Sequence, residues 1–338
     1  MLNKKSLLNR VLVGIAIFVA IIGMILLNIF FPNYVDGTDT FVSGRAINSV
    51  ILSALILLSV IEMRRALGKD RIPDCFSWLL WFYGIGIMPV YSLFGFMGIM
   101  FFSLIVFILA VFTAMLRNRA DSLIYIAFML VYPGLFMSTL LYLNRSAASG
   151  TFAPDSPMYN YLENDIWAFL NGILGTKRPR SSLLPLNAIS LSLVFAVSTF
   201  TDTFAYFVGS LFGKHKLCPE ISPKKTVEGA IGGIFGGLVG SALVFFLFDY
   251  FKIFGPQFGL TFDGLGLSTV NTVLTYVIIG IFGSIATQVG DLLASLVKRY
   301  CEIKDYSKLL GEHGGIMDRF DGIMLNSVLV SFVFMFIF

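Results

Sequence analysis

A polytopic, all-α membrane protein with about nine transmembrane helices is the fold class this sequence predicts, and three observations carry it. Apolar runs of about 20 residues, the length needed to cross a hydrocarbon core, recur along the whole 338-residue chain. Hydrophobic residues make up 57% and charged residues 13%, with a mean hydropathy of +0.85, far from soluble composition. The charges that do occur are bunched between the runs. A net charge of +4 is mild, and no nucleic-acid partner is expected.

Taken in order, the chain opens MLNKKSLLNR and enters the run Val11 to Phe31. That run is too long for a signal-peptide core, and no small-residue cleavage site follows, so it reads as an uncleaved first span. After a short acidic loop, a second span covers 46–61 and ends at the basic patch Arg64, Arg65, Lys69 and Arg71. Cys75 to Tyr91 and Leu93 to Leu116 read as a hairpin of two spans joined around Pro89-Val90-Tyr91-Ser92 and closed by Arg117 and Arg119. Trp78, Trp81 and Tyr83 suit either interfacial anchoring or packing into the bundle. The fifth span, Ser122 to Leu143, carries Tyr132-Pro133-Gly134, where a kink is expected.

The longest polar segment, 144–182, contains the mixed aromatic and acidic stretch Tyr159 to Leu170, expected to lie flat as an interfacial helix. Leu183 to Phe207 is the sixth span, Gly213 to Lys225 a basic loop, Val227 to Phe248 the seventh span, Thr269 to Val297 the eighth and Ile323 to Phe338 the ninth. The organisation is therefore 1–143 as N-terminal helices, 144–182 as an extracytoplasmic loop and 183–338 as a catalytic membrane region. With a cytoplasmic N-terminus, eighteen of the 24 Lys and Arg fall inside, as the positive-inside rule requires. Cys75, Cys218 and Cys301 lack paired or metal-ligand spacing and read as free thiols.

Chemistry concentrates between Ser295 and Asp321, SLVKRYCEIKDYSKLLGEHGGIMDRFD, where ten charged side chains and His313 interrupt apolar sequence. Asp318 and Asp321, at i and i+3, share one side of a helical turn. A carboxylate pair at a helix mouth, beside Gly314-Gly315 and several cations, suits a metal-bound polyphosphate. A second constellation runs from Thr201 to Gly233. Asp202 lies in apolar sequence, where a carboxylate costs about 2.5–3.5 kcal/mol on insertion scales, so it faces a wet cavity or a cation, or is a hydrogen-bonded structural acid. Tyr206 and Gly209 follow on its face. Ser222-Pro223-Lys224-Lys225-Thr226 offers hydroxyls and ammonium groups at a helix start, suited to phosphate, although a basic loop also arises from topology alone. In the eighth span Asp291, Ser295 and Lys298 share a face. Asp202, Asp291, Asp318 and Asp321 thus come from three helices, and their convergence calls for a divalent cation with oxygen ligands.

Two further patterns are weighed. Gly209 to Lys214 imitates a phosphate-binding P-loop, but its spacer is one residue short and His215 stands where Ser or Thr belongs. Glycines every four residues, Gly229, Gly233 and Gly237 with Gly232, Gly236 and Gly240, predict close helix packing.

The sequence resembles the phosphatidate cytidylyltransferases, or CDP-diacylglycerol synthases, on Ser295, Lys298-Arg299, Lys304-Asp305, His313-Gly314-Gly315, Asp318-Arg319 and Asp321, and on Asp202, Ala205, Tyr206 and Ser222 to Thr226. The N-terminal half matches only as generic spans. The resemblance implies transfer of the cytidylyl group of CTP to phosphatidate, releasing pyrophosphate. Taken with the shared face of Asp291 read above, it implies catalytic roles for Asp202, Asp291, Lys298, Arg299, His313, Asp318 and Asp321, the four aspartates holding magnesium. It implies substrate contacts from Tyr206, Ser222, Lys224, Lys225, Thr226, Ser295, Gly314, Gly315 and Arg319. Manganese as a substitute, a second metal ion, a homodimer, membrane lipids as partners and a bacterial plasma membrane with a cytoplasmic-facing site complete the expectations. A CTP-dependent polyprenol kinase is the nearer alternative. A transporter is the further one, since transporters place charge at mid-span in repeated halves.

Overall fold

The structure is a computed structural model that describes residues 4–30, 44–145, 148–149, 183–184, 186–254, 260, 268–311 and 314–337. The expected interfacial helix across Tyr159 to Leu170 lies outside them. The helices are α1 (Lys4–Phe30), α2 (Gly44–Arg71), α3 (Ser77–Arg117), α4 (Ser122–Met129), α5 (Phe136–Arg145), α6 (Asn187–Phe212), α7 (Val227–Phe245), α8 (Thr269–Tyr300) and α9 (Met317–Ile337). Among the described residues, six helices are long and apolar enough to cross a membrane, against the nine expected from the sequence.

One of the six is folded double. A straight α3 of 41 residues would extend about 60 Å, twice the hydrocarbon thickness. Instead Gly95 adopts φ 65°, ψ −159°, a conformation open to a residue without Cβ, and the chain turns back on itself. The Phe82 and Phe102 rings meet at 5.3 Å, and the Tyr83 and Ser103 hydroxyls hydrogen-bond at 3.1 Å; twenty residues apart on a straight helix, each pair would be separated by about 30 Å. The join expected at Pro89 to Ser92 therefore falls at Gly95, and Pro89 stays inside the first limb. Tyr83 is fully buried whereas Trp78 and Trp81 face outward, so the tyrosine packs and the tryptophans are the surface pair.

The outer surface is large and apolar, with Phe101, Phe112, Ile231, Phe235 and Phe332 exposed, as befits a lipid-facing belt. Inside, small polar side chains tie helices together. Asn28 Nδ2 donates to Asn144 Oδ1 at 3.0 Å, and Asn48 Nδ2 to Asn28 Oδ1 at 3.0 Å. Thr139 and Ser327 share a hydrogen bond at 2.7 Å, and Asn326 Nδ2 donates to Ser198 Oγ at 2.9 Å and to the Val194 carbonyl at 3.0 Å. Hydrophobicity cannot drive helix association where lipid is equally apolar, so such bonds and close packing carry it.

Close packing is the work of α7. A Cβ at Gly229 would lie 2.8 Å from the Ala205 carbonyl oxygen, and one at Gly240 would lie 2.8 Å from that of Ala196, both on α6. On the other face, a Cβ at Gly233 would reach Gln288 at 2.8 Å and one at Gly237 the Ser284 Cβ at 2.5 Å, both on α8. The glycine stripe therefore lets α6, α7 and α8 pack backbone against backbone. The all-α expectation gains a small amendment. Ala148–Ser149 (β1) pairs with Leu183–Leu184 (β2), and the basic loop forms an antiparallel hairpin of Lys216–Cys218 (β3) and Ser222–Thr226 (β4). The fifth span breaks where expected, as a π-turn at Leu130–Leu135 between α4 and α5.

Candidate functional site

A cleft of about 340 Å³ opens between α6, α7, α8 and the β3–β4 hairpin. Of the residues expected in a site, Asp202, Tyr206, Lys224, Lys225, Thr226 and Asp291 line it, together with Gly209, Gly229 and Gln288. The glycines leave the room: Gly209 and Gly229 face each other where side chains would fill the space. Thr226 is committed to local structure as the α7 N-cap, its Oγ1 accepting from the Gly229 N–H at 3.1 Å, a standard solution for an orphan helix donor. Glu228 accepts from the N–H groups of Lys214 (3.1 Å) and His215 (3.2 Å) and from His215 Nδ1 (2.7 Å), which clamps the hairpin to the same helix end.

Two lysines stand at the cleft in different states. Lys225 Nζ lies 2.7 Å from Asp291 Oδ2 and 3.4 Å from the Gln288 carbonyl. Lys224 is exposed at the rim, with no ion pair among the described residues. Asp202 opens onto the cleft and makes no hydrogen bond among the described residues, while the charges of Asp291, Lys225 and Arg319 act on it. Asp321, on α9, is within electrostatic reach of both Asp291 and Asp202. It comes so close because α8 and α9 cross at glycines: a Cβ on Gly290 would lie 2.5 Å from the Asp321 carbonyl, and one on Gly322 would lie 2.7 Å from Thr287.

A second cluster lies beside the cleft, where the loop 301–316 enters α9. Asp318, 6% exposed, accepts from Lys298 Nζ at 2.9 Å, from the Tyr306 N–H at 2.8 Å and from the Gly315 N–H at 2.9 Å. Its carboxylate is thus the organiser of the loop. Gly314 has φ +81°, a left-handed position that favours glycine. A Cβ there would also lie 2.7 Å from Asp318 Oδ2. Tyr306 donates its hydroxyl to the Ala294 carbonyl at 3.2 Å, and Lys298 sits over its ring at 5.6 Å. Burial pushes the Tyr306 phenol well above its ordinary value, so it remains a donor at any working pH. His313 lies outside the described residues.

The remaining expected residues are dispersed. Arg299 donates through Nε to the Ile221 carbonyl at 3.3 Å, linking α8 to the β3–β4 hairpin. Ser222 pairs with Cys218 at the hairpin turn, and Ser295 is half-buried on α8 outside the cleft. Arg319 is exposed, though its charge reaches Asp202.

Sequence reasoning missed the residue that holds the second cluster in place. Glu62, 3% exposed on α2, accepts from Ser307 Oγ at 2.6 Å and from the N–H groups of Ile316 at 3.0 Å and Met317 at 2.9 Å. Those two N–H groups are orphan donors of the α9 N-terminus, and a carboxylate there also complements the helix dipole. A Cβ on Gly315 would lie 2.5 Å from the Glu62 carboxylate, which explains the second glycine of the pair. A signal was present: a lone acid embedded in LLSVIEM is expensive in lipid and points to a partner.

The model of the cytidylyltransferase family matches residues 15–338. The chain belongs to the cytidylyltransferase family. Curated relatives named phosphatidate cytidylyltransferase are similar over 142 residues: 39% identical in Staphylococcus haemolyticus, 37% in Staphylococcus aureus and 42% in Staphylococcus saprophyticus. In each case the match covers 40% of this chain and 47% of the relative, so the chain spans about half the length of the curated relatives it matches. A cluster of carboxylates alone would repel any anionic ligand, and Lys225 and Lys224 at the cleft offset that charge. Asp202, Asp291 and Asp321 stand on three helices, with Lys225 paired to Asp291. Among the described residues no three His, Cys, Asp or Glu side chains enclose a metal by themselves. An ion here would complete its shell from water and substrate phosphates, the usual habit of magnesium.

Proposed function

We propose that this protein transfers the cytidylyl group of CTP to phosphatidate at the mouth of the α6–α7–α8 cleft. An oxygen of the lipid phosphate attacks the α-phosphorus of CTP, the bond to the β-phosphate breaks, and CDP-diacylglycerol and pyrophosphate are formed. The attacking oxygen is already an anion, so no general base is required. Catalysis then consists of bringing two polyanions together and neutralising the leaving pyrophosphate. The observation that carries this reading is the juxtaposition of Asp202 and Asp291 with Lys225 and Lys224 in one cleft, with Asp321 within electrostatic reach of both aspartates. The names of the similar staphylococcal proteins support it.

Asp291, Asp321 and Asp202 would hold magnesium, which when bound supplies charge neutralisation at phosphate oxygens. Lys224 is placed to meet a phosphate from the aqueous side. Lys225 can exchange its pairing with Asp291 for a substrate phosphate. Lys298 and Asp318 shape the loop. Lipid tails remain beside the exposed apolar face of Tyr206, Phe207 and Leu211, while CTP arrives from water, on the cytoplasmic side by the cation distribution. Incubation of purified protein with CTP, phosphatidate and magnesium tests the reading. Pyrophosphate and CDP-diacylglycerol are expected; CDP with a phosphorylated lipid when a polyprenol replaces phosphatidate would indicate a kinase, and no consumption of CTP with either lipid would overturn nucleotide chemistry altogether.

A further inference from the structure

Two Lys–Asp pairs form beside and within the cleft, and they are built differently. Asp318 is saturated: Oδ1 accepts from Lys298 Nζ at 2.9 Å, and Oδ2 accepts from the N–H groups of Tyr306 and Gly315. That pair is locked into the loop before α9. Asp291 is not so committed. Its Oδ2 accepts from Lys225 Nζ at 2.7 Å, with side-chain exposures of 33% and 24%, and among the described residues it has no other hydrogen bond. Lys225 Nζ also donates to the Gln288 carbonyl at 3.4 Å. Gln288 and Asp291 are one turn apart on α8, so a single ammonium is held between two oxygens of one helix edge. All three residues line the cleft, with Lys224 and Asp202. Lys225 reaches them from β4, directly before the α7 N-cap Thr226. Neither member of the pair is sealed from water, and a lysine head rides on a flexible four-carbon stem. The pair can therefore open without disturbing either helix.

We propose that Lys225 is a placeholder cation, whose ammonium holds the Asp291 carboxylate and the Gln288 carbonyl until a divalent cation takes Asp291 and releases the lysine to a phosphate. This rests on the cytidylyltransfer reading above and gives its binding events an order. An ammonium and a hard divalent ion seek the same oxygens. Asp202 and Asp291 share one cleft, and like charges so placed need a neutralising partner. Lys225 is that partner when no ion is bound. A divalent ion at Asp291 brings more charge to the same oxygens and leaves the ammonium without its anion, which an incoming phosphate replaces. Conversely, a phosphate that draws Lys225 away leaves Asp291 open to the ion. Ion and phosphate therefore strengthen each other's binding through one side chain, as linkage requires of any shared competitor. Lys224, which lines the same cleft with no ion pair among the described residues, has no such exchange to make.

The full chain in detergent, freed of metal, is titrated with manganese alone, and bound ion is counted by electron paramagnetic resonance, a readout that needs no turnover. Lys225→Met keeps the stem and removes the ammonium. It should bind manganese about fivefold more tightly than the wild type, the worth of a well-formed, partly exposed ion pair. It should also melt below the wild type in chelator and recover when manganese is added. Lys224→Met removes the same charge from the same cleft without breaking a pair, and should change the affinity less. Lys225→Arg keeps the charge and offers Asp291 a two-pronged partner, so it should bind manganese more weakly than the wild type; this variant decides the matter where Lys225→Met does not fold. Equal manganese affinity in the wild type and both Lys225 variants would overturn the proposal. So would a gain in Lys224→Met as large as that in Lys225→Met, or no bound manganese in any of the chains. The expected order of affinities in a protein that consumes no CTP would uphold the placeholder and remove the cytidylyltransfer reading, whereas CTP turnover with equal affinities would do the reverse.

Discussion

Replacing Glu62 by Ala should disable the protein although Glu62 lies 255 residues from Met317 in sequence. The substitution deletes the acceptor of three hydrogen bonds, two of them from the backbone N–H groups of Ile316 and Met317. Ile316 is 7% exposed and Met317 0%, so water replaces the carboxylate poorly. At about 1–3 kcal/mol for each buried donor left unsatisfied, the start of α9 and the loop before it lose about 2–6 kcal/mol. The loss falls on the segment that positions Asp318 and Asp321. Glu62→Gln, which retains one acceptor oxygen, should lose about half as much. Gly315→Ala should resemble Glu62→Ala, because the new methyl displaces the carboxylate, and the double variant should cost less than the sum of the two. The assays are turnover, thermal inactivation in detergent, and proteolysis of the loop 301–316. Wild-type turnover with an intact, protease-resistant loop in Glu62→Ala would refute the reasoning.

Other outcomes are expected from the same geometry. Asp202→Asn, Asp291→Asn and Asp321→Asn should each cut turnover at least about tenfold, about 1.4 kcal/mol, without lowering the melting temperature; wild-type rates in folded Asp321→Asn would remove it from the metal set. Activity should vanish in chelator and return with magnesium or manganese, both of which take octahedral oxygen ligation, whereas full activity in chelator would leave the carboxylates pairing only with lysines. Burial raises the Cys301 thiol above its ordinary value, so less thiolate is present at a given pH and alkylation of Cys301 should keep accelerating beyond the pH where a free thiol levels off. A plateau at the ordinary thiol value would contradict that environment. With Cys301 as sole cysteine, labelling by an impermeant reagent should occur in inverted vesicles and not in intact cells; the reverse would overturn the orientation.

The parts of this molecule that could be read from the sequence are those where polarity interrupts oil. Asp202, Asp291 and the run from Lys298 to Asp321 stand out because charge in a membrane segment needs a reason. The cleft brings Asp202, Asp291, Lys224 and Lys225 together from separated stretches. Glu62 escaped notice because it borders the basic patch Arg64 to Arg71, where a carboxylate looks like surface charge. Its partners are backbone N–H groups, which carry no sequence signature. The turn of α3 was misplaced for a related reason: Pro89 is the louder breaker, yet a proline can be absorbed within a limb, while reversal needed the dihedral freedom of Gly95. The β3–β4 hairpin is too short and too polar for alternation to announce it.

The glycine stripe of α7 has a consequence for motion. Helices whose backbones touch have no side-chain layer to slide on, so α6, α7 and α8 behave as a single slab. The separation of Asp202 from Asp291 is then set when the chain folds and costs nothing further when substrate arrives. What remains free to move is the polar trim. The β3–β4 hairpin hangs from Glu228 and Thr226 and is tied to α8 by the Arg299–Ile221 hydrogen bond and by Lys225, which pairs with Asp291 and bonds the Gln288 carbonyl. Adaptation to a bound ligand thus falls to that hairpin, and its opening should follow the combined strength of the Arg299 and Lys225 contacts at its edge.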